Sequence, residues 1–219
     1  MSTKNQPLII SFEGNIGSGK SSIFRYVKHN SDTLFSKNLK ICFIYEPKTI
    51  VQSITDYYDL SFQLNAYITR IFKLKDAIDK NYDIIFTERS ILSDKKVFGK
   101  MIRDDYDYID ENEYLKLYNK LYSQHLHYLD NMKFVYIRTK PDACLNRINK
   151  RDIATNYITL PYIQNYYHYY DTWLNTYDMI DKKHVIIVHG NEETNKSLFV
   201  ENNFYHQLMN KLLEFVSNR

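Results

Sequence analysis

The sequence predicts a doubly wound α/β domain, a parallel sheet with helices on both faces. Two observations carry this expectation. Short runs rich in Ile, Val, Phe and Tyr alternate with longer segments of helical spacing, and the first run passes directly into a glycine-rich loop that opens a helix.

The β-rich runs are Leu8–Phe12, Lys40–Tyr45, Tyr82–Thr87, Lys133–Arg138 and His184–His189, each too short for a typical helix. Between and after them, segments 20–29, 61–80, 90–103, 112–130, 158–177 and 197–217 carry helical periodicity. A β-α-β-α order needs crossover connections, so the five strands are expected to be parallel. Ligands of such sheets sit outside the carboxyl ends of the strands, which directs attention to the residues closing each run. The first runs into Gly14, the second into Glu46 and Pro47, and the third into Glu88, Arg89 and Ser90. No internal repeat, low-complexity tract or linker interrupts the chain, so residues 1–219 are expected to form one domain.

Composition narrows the function classes. A chain that is 44% hydrophobic and 25% charged has enough apolar material for a core and is not of the disordered kind. Its net charge of +3 arises from 29 basic and 26 acidic residues spread along the sequence, so no basic arm for nucleic acid is expected and a small anionic ligand suits the balance better. Cys42 and Cys144 lie in apolar surroundings without metal-ligand spacing, which predicts buried thiols in a reducing compartment. None of the seven histidines has a convincing partner for a protein-held metal. Only seven residues precede the first strand and no apolar run approaches the ~20 residues of a membrane span, so a soluble, cytoplasmic protein is expected. The 21 tyrosines scatter over every kind of segment; we attribute them to AT-rich codon usage and expect no general functional role for them.

Gly14-Asn15-Ile16-Gly17-Ser18-Gly19-Lys20-Ser21 satisfies every fixed position of the phosphate-binding loop G-x-x-x-x-G-K-[ST], in the required strand-loop-helix setting. Its backbone N–H groups and the following helix N-terminus suit phosphate oxygens. Lys20 is expected to reach the β- and γ-phosphates of ATP and Ser21 to hold Mg2+. The expected fold is therefore the three-layer α/β type of P-loop NTPases. The loop alone does not name the phosphate acceptor.

Glu46, at a strand's carboxyl end near the phosphates, is a candidate base for an acceptor hydroxyl; the alternative is a surface glutamate where Pro47 stops the strand. Glu88 and Arg89 offer a magnesium carboxylate and a guanidinium for charge developing on transferring oxygens, or else a pair capping the next helix with Ser90 as N-cap.

With GNIGSGKSS, Tyr45-Glu46-Pro47, Phe62-Gln63 followed by Arg70, Glu88-Arg89-Ser90, Asp94, Phe98, Cys144-Leu145, Arg147 and Arg151 in this order, the chain resembles the deoxyribonucleoside kinases that include deoxycytidine, deoxyguanosine and mitochondrial thymidine kinases. The resemblance spans most of the chain. It implies that Glu46 acts as base on the sugar 5′-hydroxyl, that Arg89 holds that hydroxyl and the developing charge, and that Glu88 joins Ser21 around magnesium. It adds Ser22 to the nucleotide loop and places Arg147 and Arg151 in a short lid, residues 147–157, over ATP. Gln63 would pair with the base edge and Phe98 stack on the ring, while Tyr57 or Tyr58 would touch the sugar. Ala66, Arg70 and Asp94 stand where family members that accept cytosine or purines carry a small residue, an arginine and an aspartate. A structural ion pair is the alternative for Arg70 and Asp94. The implied product is a salvage nucleotide, and the implied assembly a homodimer with a face on the Glu111–Asp130 segment.

The chain departs from the pattern in three places. The family's tryptophan after Glu-Pro is absent from Lys48–Val51, the stretch from there to Gln63 is shorter, and Asp152–Asn156 lacks a further arginine and an acidic residue. Two rivals follow: a monophosphate kinase of the thymidylate kinase type and a non-catalytic nucleotide-binding protein.

Overall fold

A computed structural model describes residues 6–46, 60–105, 132–150, 158–181, 183–191 and 203–217, with 116, 119–121, 123–125, 128 and 129. Five strands form one wholly parallel sheet in the order β2-β3-β1-β4-β5: β1 (Leu8–Gly14), β2 (Ile41–Ile44), β3 (Ile84–Glu88), β4 (Met132–Arg138) and β5 (Val185–His189). The sequence expectation of five parallel strands holds, with ends displaced by a residue or two. The central strand β1 is buried along its whole length. After it the chain builds β2 and β3 to one side and then β4 and β5 to the other, which leaves a crevice at its carboxyl end.

The two faces of β1 feed two cores, because successive side chains of a strand point to opposite sides. Leu8, Ile10 and Phe12 meet α1 (Lys20–Leu34) and α8 (Asn203–Ser217) through Phe24, Val27, Leu208 and Leu212. Phe12 lies edge-on to Phe24 at 5.3 Å, and Phe86 stacks on Phe43 at 4.9 Å. Fully burying a ring such as Phe12, Phe24 or Phe86 stabilises the fold by roughly 1.5–3 kcal/mol relative to exposure. On the opposite face Ile9 joins α2 (Leu60–Asp79), α5 (Pro141–Asn149) and α6 (Leu160–Leu174) through Tyr67, Leu74, Cys144, Tyr166 and Tyr170. Ser11 and Glu13 share that second face and are fully buried.

The segment after β3 is not one regular helix. A short turn, α3 (Ile91–Ser93), passes into a π-helical turn over Asp94–Phe98 and then α4 (Gly99–Asp105). Such turns gather at functional sites. Ser90 starts the segment with a capping box, its hydroxyl accepting from Ser93 N while its own N–H donates to the Ser93 hydroxyl. The expected helix 158–177 is α6 followed by α7 (Tyr177–Asp181), and the first helix outlasts its expected end at His29 by a full turn.

Both cysteines are free. Cys144 is buried as expected, whereas Cys42 is only partly so, because β2 is the sheet's edge strand and none of its residues is fully covered. Among the described residues, no helix is long and apolar enough to cross a membrane, and no cluster of three His, Cys, Asp or Glu could hold a metal ion. Tyr57, Tyr58, Arg151, the lid beyond Lys150 and most of the Glu111–Asp130 segment lie outside the described residues.

Candidate active site

The loop 14–21 is built by close approach. Gly17 has φ +74°, and a Cβ there would stand 2.5 Å from the Cys144 carbonyl oxygen, so the backbone of α5 lies directly against the loop. Gly19, at φ +96°, caps α1 and lets its first turn face the crevice. The loop is pinned from outside. Asn15 Nδ2 donates to the Ile163 carbonyl on α6 at 2.8 Å and the Ser18 carbonyl accepts from Thr139 Oγ1 at 2.9 Å, while within the loop Asn15 Oδ1 accepts from Ile16 N at 2.8 Å. Arg147, expected in the lid, lies on α5 with Nη1 donating to Ser18 O at 3.0 Å and Nη2 to Gly190 O at 2.6 Å. It braces the loop from the side. Ser22 is exposed on the first turn of α1. The buried hydroxyl of Ser18 has no hydrogen-bond partner among the described residues.

Opposite the loop, charges gather at the carboxyl ends of β2 and β3. Lys20 Nζ lies 2.9 Å from Glu88 Oε1 and 3.3 Å from Glu46 Oε2, and the Ser21 hydroxyl donates to Glu88 Oε1. Glu46, two residues past β2, also meets Arg89 Nε at 2.8 Å and Arg70 Nη2 at 3.1 Å through Oε1. Burial alone would raise its carboxyl, but Arg89, Lys20 and Arg70 outweigh that and hold it at about 2. Burial likewise pushes Glu88 up, and Lys20 with the Ser21 hydroxyl leaves it below the usual carboxylate range. Both carboxylates therefore stay ionised at neutral pH.

Arg89 adopts φ 64°, a left-handed conformation rare for a non-glycine residue and concentrated at functional sites. Its N–H still bonds Phe12 O at 3.0 Å, so the strand pairing continues while the side chain is thrown towards Glu46. The guanidinium lies over the Phe98 ring at 4.8 Å and donates through Nη1 to the Tyr170 hydroxyl.

A second pair lies behind Glu46. Arg70 Nη1 donates to Asp94 Oδ1, and Asp94 is fully buried. Burial penalises both charges. In Arg70 the two carboxylates win and its pKa rises; in Asp94 burial wins and the carboxyl is raised to about 6. The difference follows from the neighbours: Arg70 faces two carboxylates, whereas Asp94 faces one guanidinium and is also repelled by Glu13 and Glu46. Asp94 Oδ2 and Arg70 Nε have no hydrogen bond among the described residues. Gln63, Ala66 and Phe98 are buried as well. The ion pair anticipated as an alternative for Arg70 and Asp94 exists, and it opens onto the same crevice residue, Glu46.

Sequence reasoning missed Glu13 and Tyr170. Glu13 accepts from Ser11 Oγ (2.7 Å), Ser90 N (3.0 Å), Ser90 Oγ (2.7 Å), Ser93 Oγ (2.7 Å) and Tyr170 Oη (3.3 Å). The available signal was the pairing of Ser11 and Glu13, two residues apart and so on one face of an otherwise apolar strand.

The deoxynucleoside kinase family model matches residues 10–217. The chain is 30% identical over 175 residues to a fowlpox virus protein named as a probable deoxycytidine kinase, a match covering 76% of this chain and 71% of that one. It is 24% identical to the deoxycytidine kinase of Mus musculus, covering 95% of this chain and 90% of that one. Against deoxycytidine kinase 2 of Gallus gallus it is 27% identical, covering 75% and 73%. A P-loop at the end of a central parallel strand, the facing Glu46 and Arg89, and a family match from the first strand to the last helix lead to one conclusion: the chain belongs to the deoxynucleoside kinase family, ATP-dependent phosphotransferases acting on a small-molecule nucleoside.

Proposed function

We propose that this kinase transfers the γ-phosphate of ATP to the 5′-hydroxyl of deoxycytidine or a purine deoxynucleoside in preference to thymidine, and so serves nucleotide salvage. The observation that carries this reading is the joined pair of sites at Glu46: one oxygen faces Lys20 of the P-loop, and the other faces Arg89 and Arg70, which continues to Asp94. Phosphate chemistry and base recognition thus share one carboxylate.

Glu46 orients the 5′-hydroxyl and takes its proton as the bond to phosphorus forms. A carboxylate held at about 2 is a weak base, which suits a loose transition state in which the hydroxyl proton leaves late. Arg89 shares the hydroxyl with Glu46 and faces the charge on the transferring oxygens. Lys20 exchanges its carboxylate contacts for phosphate oxygens when nucleotide enters. Ser21 and Glu88 fit magnesium, since they are adjacent hard oxygen donors, one at the start of α1 and the other at the end of β3, and the Ser21 hydroxyl is already turned on Glu88. Magnesium, when bound, neutralises phosphate charge.

For the base, Gln63 offers an amide edge, Phe98 a ring face and Ala66 room. The open oxygen of Asp94 is suited to the amino group that cytosine and adenine present, and is opposed to the O4 acceptor of thymine. The deoxycytidine kinase names of the relatives agree with that preference. We also read residues 1–219 as one catalytic domain. A homodimer is supported by Ile68 and Phe72, which stand exposed a turn apart on α2.

The deciding experiment measures transfer from labelled ATP with magnesium to a panel of deoxynucleosides and their monophosphates. Transfer to deoxycytidine or a purine deoxynucleoside is expected. Transfer confined to monophosphates, or strongest for thymidine, overturns the reading.

A further inference from the structure

Arg89 combines a left-handed backbone with a guanidinium shared between Glu46 and Tyr170, so its position is held by something outside its own conformational preference. Both holds lead to Glu13. On the backbone side, Glu13 Oε1 accepts from the N–H and hydroxyl of Ser90, the residue that follows Arg89, while Oε2 accepts from Ser93. On the side-chain side, Arg89 Nη1 donates to Tyr170 Oη, whose own proton goes to Glu13 Oε2.

We propose that Glu13 and Tyr170 are positioning residues for phosphoryl transfer, fixing the Arg89 guanidinium against Glu46 through a buried Glu13–Tyr170–Arg89 chain. The proposal rests on the roles given above to Glu46 and Arg89. With five donors on its two oxygens, Glu13 acts only as an acceptor. The Tyr170 hydroxyl must then point its proton at Glu13, which leaves its lone pairs for the arginine. Glu13 and Tyr170 are fully buried, and Glu13 stands just before Gly14, the first residue of the P-loop. The same helix, α6, receives the amide of Asn15, so one rigid element sets the P-loop and Arg89 relative to each other. Burial raises the Tyr170 phenol well above its ordinary value despite Arg89, so it remains a neutral hydroxyl in this chain.

Tyr170→Phe tests the link by deleting the hydroxyl and keeping the ring that stacks on Tyr136 and Trp173. The expected result is a fall in kcat of ~10- to 100-fold, the scale of a misplaced catalytic group, with KM for ATP and nucleoside nearly unchanged. In an Arg89→Lys background the same substitution should cost nothing further. Tyr162→Phe, which removes another buried hydroxyl of α6, should leave kcat within about twofold, because that hydroxyl bonds Tyr166 rather than Glu13, Tyr170 or Arg89. Unchanged kcat in Tyr170→Phe, an equal loss with and without Arg89, or a loss matched by Tyr162→Phe overturns the proposal. Wild-type protein inactive on every deoxynucleoside would instead overturn the functional reading. A crystal structure of Tyr170→Phe then decides the positioning claim alone: the contact between Arg89 Nε and Glu46 Oε1 should be lost, and its persistence sinks the claim.

Discussion

Lowering the pH from 7.5 to 5 should weaken nucleoside binding through a single group, Asp94. Its carboxyl is raised to about 6 by burial, whereas Glu46, at about 2, does not titrate in this range. If only the ionised form accepts the base amine, the apparent Kd is nearly unaffected at pH 7, about doubled at pH 6 and about tenfold higher at pH 5. Calorimetric titration of nucleoside across this range, with wild type and Asp94→Asn, provides the assay. Stability runs in the opposite sense. A carboxyl raised in the folded state binds more protons there than in the unfolded chain, so its contribution is fully present below the ordinary value of 3.8 and is lost as pH rises through about 6. That loss amounts to about 3 kcal/mol at neutral pH, at about 1.4 kcal/mol per pH unit. Wild type should therefore gain stability relative to Asp94→Asn as pH falls from 7 towards 4 in denaturant titrations. Affinity that is flat from pH 7.5 to 5, or a pH dependence that survives in Asp94→Asn, would refute the assignment.

Further outcomes are expected elsewhere in the site. Glu46→Gln should lower turnover by roughly 10²- to 10⁴-fold while nucleotide titration shows ATP still bound, since the loop contacts remain; unchanged turnover removes Glu46 as base. Arg70→Met combined with Asp94→Ala should shift the ratio of thymidine to deoxycytidine kcat/KM towards thymidine, and an unaltered ratio counts against the base-pocket reading. Gly17→Ala drives a Cβ into the Cys144 carbonyl at 2.5 Å in a left-handed conformation. It should cost about 2–3 kcal/mol, or a fall of roughly 5–10 °C in Tm, together with ATP affinity; a wild-type melting curve would show that the loop can yield there.

The P-loop was legible because all its determinants are local: spacing, glycines and the strand before it. The strands were legible for the same reason, and Glu46, Glu88 and Arg89 followed from the rule that such sheets bind ligands at carboxyl strand ends. What sequence could not display were pairings across the chain. Glu13 and Tyr170 meet at a separation of 157 positions, and a tyrosine among many offers no local mark of that contact. Arg147 was placed in the right neighbourhood but its guanidinium braces the loop, because the carbonyls of Ser18 and Gly190 converge there from two other elements. The extension of α1 past His29 was hidden by the polar stretch His29–Thr33, in which Ser31 satisfies its hydroxyl on the Lys28 carbonyl and thereby fits a helix interior.

The chain contains a single tryptophan, and α6 carries it: Trp173 stacks with Tyr170 at 6.2 Å and lies edge-on to Phe134 at 5.3 Å. One indole, one ring away from the residue that holds Arg89, makes the protein its own optical probe. Its emission needs no label and reports on this helix alone, so a titration with nucleoside followed at the tryptophan band would reveal whether ligand at Glu46 is felt by Tyr170. A saturating nucleoside that leaves the spectrum unmoved would mean that the link between them is rigid in both states.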